Sequence, residues 1–348
     1  MPTPPSQDNS VPTLEDVAKR ASVSTATVSR CMNAPKMVSE KTRQKVMQAV
    51  RDLGYTPNFG ARALAARRTG TFGAVIPTMD NAIFARGLQA FQHELGQAGI
   101  TTLVASSSYN PETEEDQIRT LVARGAEALL LIGNDRTPAA HAFLRTQKIP
   151  FVNTWTIAER PDDFCVGFDN RRAMAMLCRE VLALGHRRIG YITAQRTSND
   201  RARARFFGVR DAMRAAGVDP ATLRVEEVSY SIDEGRSAFV RLMDSSDPPT
   251  VVMCGNDVLA AGALLEARHR DLSVPEQVSV TGFDDIDISE IVFPALTTVH
   301  VPHKDMGVQA ARVLRALCDG ETPKIGGPLD TWVAWRHSLG PVARDGDR

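Results

Sequence analysis

The sequence predicts an α/β protein with two parts: an N-terminal three-helix head with a hinge helix, then a two-lobed core of doubly wound parallel sheets. Three observations carry this. Residues 13–54 hold three short helical periods, each opened by a capping residue. From residue 71, apolar strand-like runs alternate with amphipathic helical stretches. Charge is divided between the parts: residues 1–70 hold 11 Lys/Arg against 5 Asp/Glu, so the remainder is net acidic in a chain of 41 and 41.

The head comes first. Thr13 before Leu14-Glu15-Asp16 forms a capping box. Leu14, Val17, Ala18 and Ala21 recur on one helical face. Ser22-Val23 makes a tight turn, and Ser24 caps a second helix from Thr25 to about Met32. Val28 faces inward there, which leaves Thr25, Ala26, Ser29, Arg30 and Asn33 outward. Ser39 caps a third helix with Val46, Val50 and Leu53 inside and Gly54 as its stop. Two short helices joined by a tight turn and braced by a third form a helix-turn-helix unit, whose second helix enters the DNA major groove. Hydroxyls, a methyl and one arginine suit base edges. Residues 57–68 are Ala-rich and basic, and too short for a stable lone helix. They read as a segment that folds against DNA, with Leu64 as a wedge between base steps.

In the body, strands are expected near 72–76, 101–105, 128–132, 151–153, 188–193, 250–253 and 278–282. Helices are expected at 82–97, 171–184, 205–216 and 304–318, and a last strand at 332–339. About 260 residues of such βαβ units suggest two lobes, with a ligand cleft at the carboxyl ends of the strands. Candidate ligand groups are Arg205, a guanidinium fork, Asn256, which donates and accepts, and Asp284 in GFDD, which is expected only to accept.

Composition narrows the function classes. No apolar run approaches the roughly 18 residues that span a bilayer, and MPTPPSQDNSVP is not a signal peptide, so a cytoplasmic protein with no membrane partner is expected. The five cysteines are scattered, with no CxxC pair. No GxGxxG, P-loop, GxSxG or HExxH occurs, so neither an enzyme nor a cofactor is expected. His300 and His303 are spaced HxxH but flank Pro302 in an expected inter-lobe loop, where no metal is expected.

The segments TLEDVAKRASVSTATVSRCMN, VSEKTRQKV and LGYTPNFGARALAARRTGTFGAVIP resemble the DNA-binding head of the lactose-repressor (LacI/GalR) family. GFDNRRAMAMLCREVLALGHRRIGYI, RFFGVRDAM, CGNDVLAAGAL, VSVTGFDDIDI and PALTTVHVPHKDMG resemble its effector-binding core, which is similar to periplasmic sugar-binding proteins. The likeness covers residues 13–340. It implies a disordered tail (1–12), a helix-turn-helix domain (13–56), a hinge helix (57–69), a core (70–340) and a tail (341–348). Lobe 1 would hold about 70–167 and 301–328, lobe 2 about 168–300 and 329–340, with three crossings between them. By resemblance Thr13, Ser24, Thr25, Ala26, Thr27, Ser29, Arg30 and Asn33 fall at the DNA. Ser39, Thr42, Tyr55 and Asn58 fall on phosphates, and Ala61 and Leu64 in the minor groove. The effector set is Asn81, Phe84, Trp155, Arg205, Tyr230, Asn256 and Asp284. Trp155 departs from the polar residue frequent at that place. It suits either stacking on a ligand ring or packing between lobes.

The expected function is a ligand-responsive transcriptional regulator: a repressor of carbohydrate or sugar-acid genes that binds a pseudo-palindromic DNA operator. Arg201 and Arg203 near Arg205 keep the acid in play. The alternatives are a nucleobase-dependent regulator, and a solute-binding protein with no regulatory role. No leucine heptad follows residue 340, so a homodimer rather than a tetramer is expected.

Overall fold

The computed structural model describes residues 11–56, 60, 68–80, 82–160 and 163–342. The chain divides into two compact units, 1–69 and 70–348.

The first unit holds α1 (Leu14–Ala21), α2 (Thr25–Asn33) and α3 (Glu40–Leu53). Thr13 and Asp16 complete the capping box, and Ser24 and Ser39 accept the backbone N–H of Thr27 and Thr42. Val17, Ala18, Ala21, Val28, Cys31, Val46 and Ala49 form its small buried core. Ser22 and Gly54 end α1 and α3 in the left-handed region at φ 54° and 64°.

The second unit has two parallel sheets. The first contains β1 (Thr71–Ile76), β2 (Thr101–Ser106), β3 (Leu129–Ile132), β4 (Phe151–Thr154) and β5 (Cys165–Val166), in the order β2-β1-β3-β4-β5. The second contains β6 (Ile189–Thr193), β7 (Arg224–Glu227), β8 (Val251–Cys254) and β9 (Ser279–Thr281), in the order β7-β6-β8-β9. Both follow one winding, in which the second strand lies outside the first and the third on its other side. Such a switch of direction opens a crevice at the strand carboxyl ends. β1 is buried along its whole length, as a strand covered on both faces must be.

Helices α4 (Ala82–Gln97), α5 (Pro111–Ala123) and α6 (Pro138–Thr146) accompany the first sheet. Helices α7 (Asn170–Ala183), α8 (Asp200–Ala215), α9 (Ile232–Met243), α10 (Asp257–His269) and the short α11 (Ile288–Ile291) accompany the second. The final helix, α12 (His303–Cys318), returns to pack on α4. Gly87 and Gly307 make that packing close. A Cβ on Gly307 would lie 2.0 Å from the Gly87 carbonyl oxygen, and one on Gly87 would lie 2.4 Å from the Trp155 ring. β10 (Thr298–His300) and β11 (Trp332–Ala334) pair antiparallel beside the second sheet, before and after α12.

The short strands β5, β7 and β10 were not expected from the sequence, and two further elements have other bounds. The helix expected from residue 205 begins at Asp200, capped by Asn199. Its arginines resemble a solvated face, yet Arg201 and Arg205 are buried. The last strand stops at Ala334 rather than 339. Beyond it the backbone of His337 bonds to Ala295, and Ser338 bridges Val280 and Thr297, so no ladder continues.

Candidate functional site

Loops beyond the carboxyl ends of the strands line a narrow cleft of about 20 Å³, room for little more than one water molecule. Ile83, Phe84, Tyr109 and Trp155 line it from the first lobe. Asn199, Arg201, Arg205, Tyr230, Asn256 and Asp284 line it from the second. Six of the seven expected effector residues therefore meet in one place. Asn81 lies outside the described residues.

Arg205 is buried on α8. Its Nη1 donates to Asn170 Oδ1 (2.7 Å), its Nη2 donates to Tyr230 Oη (2.9 Å), and its guanidinium lies over the Phe283 ring at 4.8 Å. Its Nε is buried without a partner. Asn256 has both roles open to it in sequence. Its Oδ1 caps α10 by accepting from Leu259 N (2.9 Å), while its Nδ2 is buried and unpartnered. Orphaned buried donors are rare and point to a missing partner.

Asp284 follows β9 at φ 109° and is 3% exposed. Its carboxyl makes no hydrogen bond among the described residues. Burial pushes its pKa well above the usual carboxylate range, with Arg205 pulling against the shift. A carboxyl shifted in this direction holds its proton more readily than an exposed one, and a protonated carboxyl can donate as well as accept. Its neighbour Asp285 points away, to His300 Nδ1 (2.7 Å), Arg336 (2.7 Å) and Ser289 (3.1 Å).

Trp155 follows β4 at φ 59°. Its ring meets Phe84 edge-on, centroids 5.4 Å apart, and its Nε1 donates to His303 Nδ1 at 3.1 Å. It is both cleft wall and lobe packing. His303 is no metal ligand candidate: both its nitrogens are engaged, Nε2 with the Asp284 carbonyl oxygen at 3.1 Å. Among the described residues no cluster could hold a metal. Tyr230 lies 5.5 Å from Tyr109, centroid to centroid.

Sequence reasoning missed Tyr109, Asn199 and Ile83 and placed Arg201 only nearby. Tyr109 stands just past β2 at φ 59°. A survey of strand carboxyl ends would have found it. Tyr109, Trp155 and Asp284 share a sparsely populated backbone region, and such strain collects at functional sites.

In the head, Thr25, Ala26 and Arg30 are exposed on α2, and Thr27 and Ser29 are half-buried. Arg30 forms no ion pair among the described residues. The hydroxyls of Thr13, Ser24, Thr27, Ser39 and Thr42 are engaged in helix caps, and Tyr55 packs on the head core. The side chain of Asn33, and Asn58, Ala61 and Leu64, lie outside the described residues.

Residues 13–58 match the bacterial regulatory proteins of the lacI family, and residues 178–339 match the periplasmic binding protein-like domain. The chain is 37% identical to the HTH-type transcriptional regulator GntR of Pseudomonas aeruginosa over 311 residues, covering 89% of this chain and 90% of that one. Among solved structures, the lac repressor dimer bound to operator and the anti-inducer ONPF superposes with a TM-score of 0.84 at 25% identity, covering 94% and 99% of the two chains. A complex of the transcriptional regulator CelR with cellobiose does so at 0.69 and 27%, covering 94% and 100%. No described helix is long and apolar enough to cross a membrane. A helix-turn-helix head, a two-lobed binding core and relatives matched almost end to end lead to one conclusion: the chain belongs to the lacI family of bacterial transcriptional regulators.

Proposed function

We propose that the chain is a homodimeric cytoplasmic repressor whose cleft takes a small polyhydroxylated effector, a sugar or sugar acid, and whose affinity for a pseudo-palindromic operator changes with occupancy. The reading rests on two buried donors without partners, Arg205 Nε and Asn256 Nδ2, and the buried Asp284 carboxyl, residues that all line one cleft. A polyol supplies alternating donors and acceptors to such groups, and the aromatic rings of Phe84, Trp155 and Tyr109 cover its apolar face. Arg201 adds a second guanidinium, bonded among the described residues to Asp200. That arrangement favours a ligand with one carboxylate.

The cellobiose bound by CelR supports the ligand class. The lac repressor structure, with operator and anti-inducer on one dimer, supports the pairing of functions and the oligomeric state. Thr25, Ala26 and Arg30 are the proposed base-reading set, with the hinge segment in the minor groove. Effector and operator are then linked by a coupling free energy, each altering the other's affinity by one factor.

A thermal-shift screen of sugars, sugar acids and purines tests the reading, because a ligand that binds the native state raises its melting temperature. Stabilisation by sugars or sugar acids alone is expected. Stabilisation by purines alone would replace the ligand class. Genomic footprinting is expected to return an inverted repeat, and its absence would contradict operator reading by a symmetric dimer.

A further inference from the structure

The turn Asp284–Asp287 belongs to the second lobe, yet two side chains of the first lobe hold it. Arg86, on α4, donates from Nη1 to the Asp285 carbonyl oxygen (3.3 Å) and pairs through Nη2 with the Asp287 carboxylate. His303, the first residue of α12, sits between Trp155 and the Asp284 carbonyl oxygen. A tryptophan indole can only donate. His303 Nδ1 is therefore the acceptor, and Nε2 carries the proton that goes to Asp284. The path Arg86–turn–His303–Trp155 begins and ends in the first lobe. It runs through the residue whose carboxyl faces the cleft. Asp284 and Asp285 hold φ values of 109° and 56°, conformations that persist only where the surroundings impose them.

We infer that Arg86 and His303 are positioning residues: they clamp the Asp284–Asp287 turn from the opposite lobe, aim Asp284 into the cleft, and make any displacement of that turn a displacement of Trp155. The clamp serves regulation only if the cleft takes an effector as proposed above. The linkage itself is read without ligand, so a cleft that binds no sugar and a clamp that transmits nothing are separate results.

The experiment is indole N–H exchange by NMR on the full-length protein. The chain has three tryptophans. Trp332 and Trp335 are about half exposed, at 50% and 49%, and Trp155 is 3% exposed. One slowly exchanging indole proton is expected, and Trp155→Phe assigns it. Among the described residues Arg86 bonds to the turn, and its charge also acts on His303, the acceptor of the Trp155 indole; Arg86→Met is expected to speed that exchange about tenfold. The backbone N–H of Ile286, which bonds to Asp257 Oδ2, should speed with it. Arg86→Lys, with the charge but not the fork, should fall between. Exchange at Trp155 that stays at the wild-type rate in Arg86→Met would overturn the clamp. So would an equal rise throughout both sheets, which would mean general destabilisation.

Discussion

The two lobes are wound alike but bring different chemistry to the cleft. The first contributes Ile83, Phe84, Tyr109 and Trp155, and the second contributes Asn199, Arg201, Arg205, Tyr230, Asn256 and Asp284, with Tyr230 its one aromatic ring among the described lining residues. One wall is apolar and aromatic, and the other carries the charge and the unpartnered donors. The difference teaches a division of labour. Under the proposed function, specific grip would come from the second lobe, and coverage and exclusion of water from the first. A ligand held by one wall and covered by the other favours whichever lobe arrangement brings both into contact. It shifts the equilibrium by that differential affinity and no more.

The largest effect that can break the comparison concerns His303, where the walls are joined. Burial holds its pKa down to about 4, from 6.5. As pH falls below 6.5 the unfolded chain takes the proton first, so stability is lost between pH 6.5 and about 4, by up to about 3 kcal/mol. Asp257, pushed up to about 7 by burial, acts with the opposite sign. The readout is therefore the difference between wild type and His303→Asn in denaturant melts across that window. Parallel pH profiles would show that the imidazole is not held neutral at this junction.

Next is the polar wall. Asp284→Ala should weaken effector binding by roughly 2–3 kcal/mol, well over tenfold, by calorimetry with a ligand from the screen. Undiminished affinity would move the grip elsewhere. The head, a separate compact unit, serves as a control. Arg30→Ala should cost about 1–3 kcal/mol on the operator and little on random DNA, measured by electrophoretic shift. Equal losses on both would remove its base-reading role. The smallest effect belongs to the aromatic wall. Trp155→Phe keeps a ring but loses the donor to His303, and should weaken effector binding by less than about 1 kcal/mol. A loss as large as that of Asp284→Ala would erase the distinction between the walls.

The head was legible because its signals are local. Thr13, Ser24, Ser39 and Gly54 act on residues within three or four positions, so a linear reading finds them. The cleft is drawn from separate segments between residues 83 and 284, and no local period brings those together. The resemblance to a known family located Phe84, Trp155, Arg205, Tyr230, Asn256 and Asp284. Side-chain chemistry alone singled out only Arg205, Asn256 and Asp284 as candidate ligand groups. What the residues could not reveal was burial. Arg201 was only a neighbour of Arg205, Asp284 an expected acceptor and His303 half of an HxxH spacing, until packing gave each its partners or withheld them.

If the second lobe grips the effector and the operator is ligand-sensitive through that grip, loss of a gripping residue removes the response. Titrating operator-bound protein with the screened effector, wild type beside Arg205→Ala, tests it most directly. The account predicts that Arg205→Ala binds operator nearly as wild type does without effector and fails to respond at the concentration that shifts the wild type. A response at the wild-type concentration would contradict it.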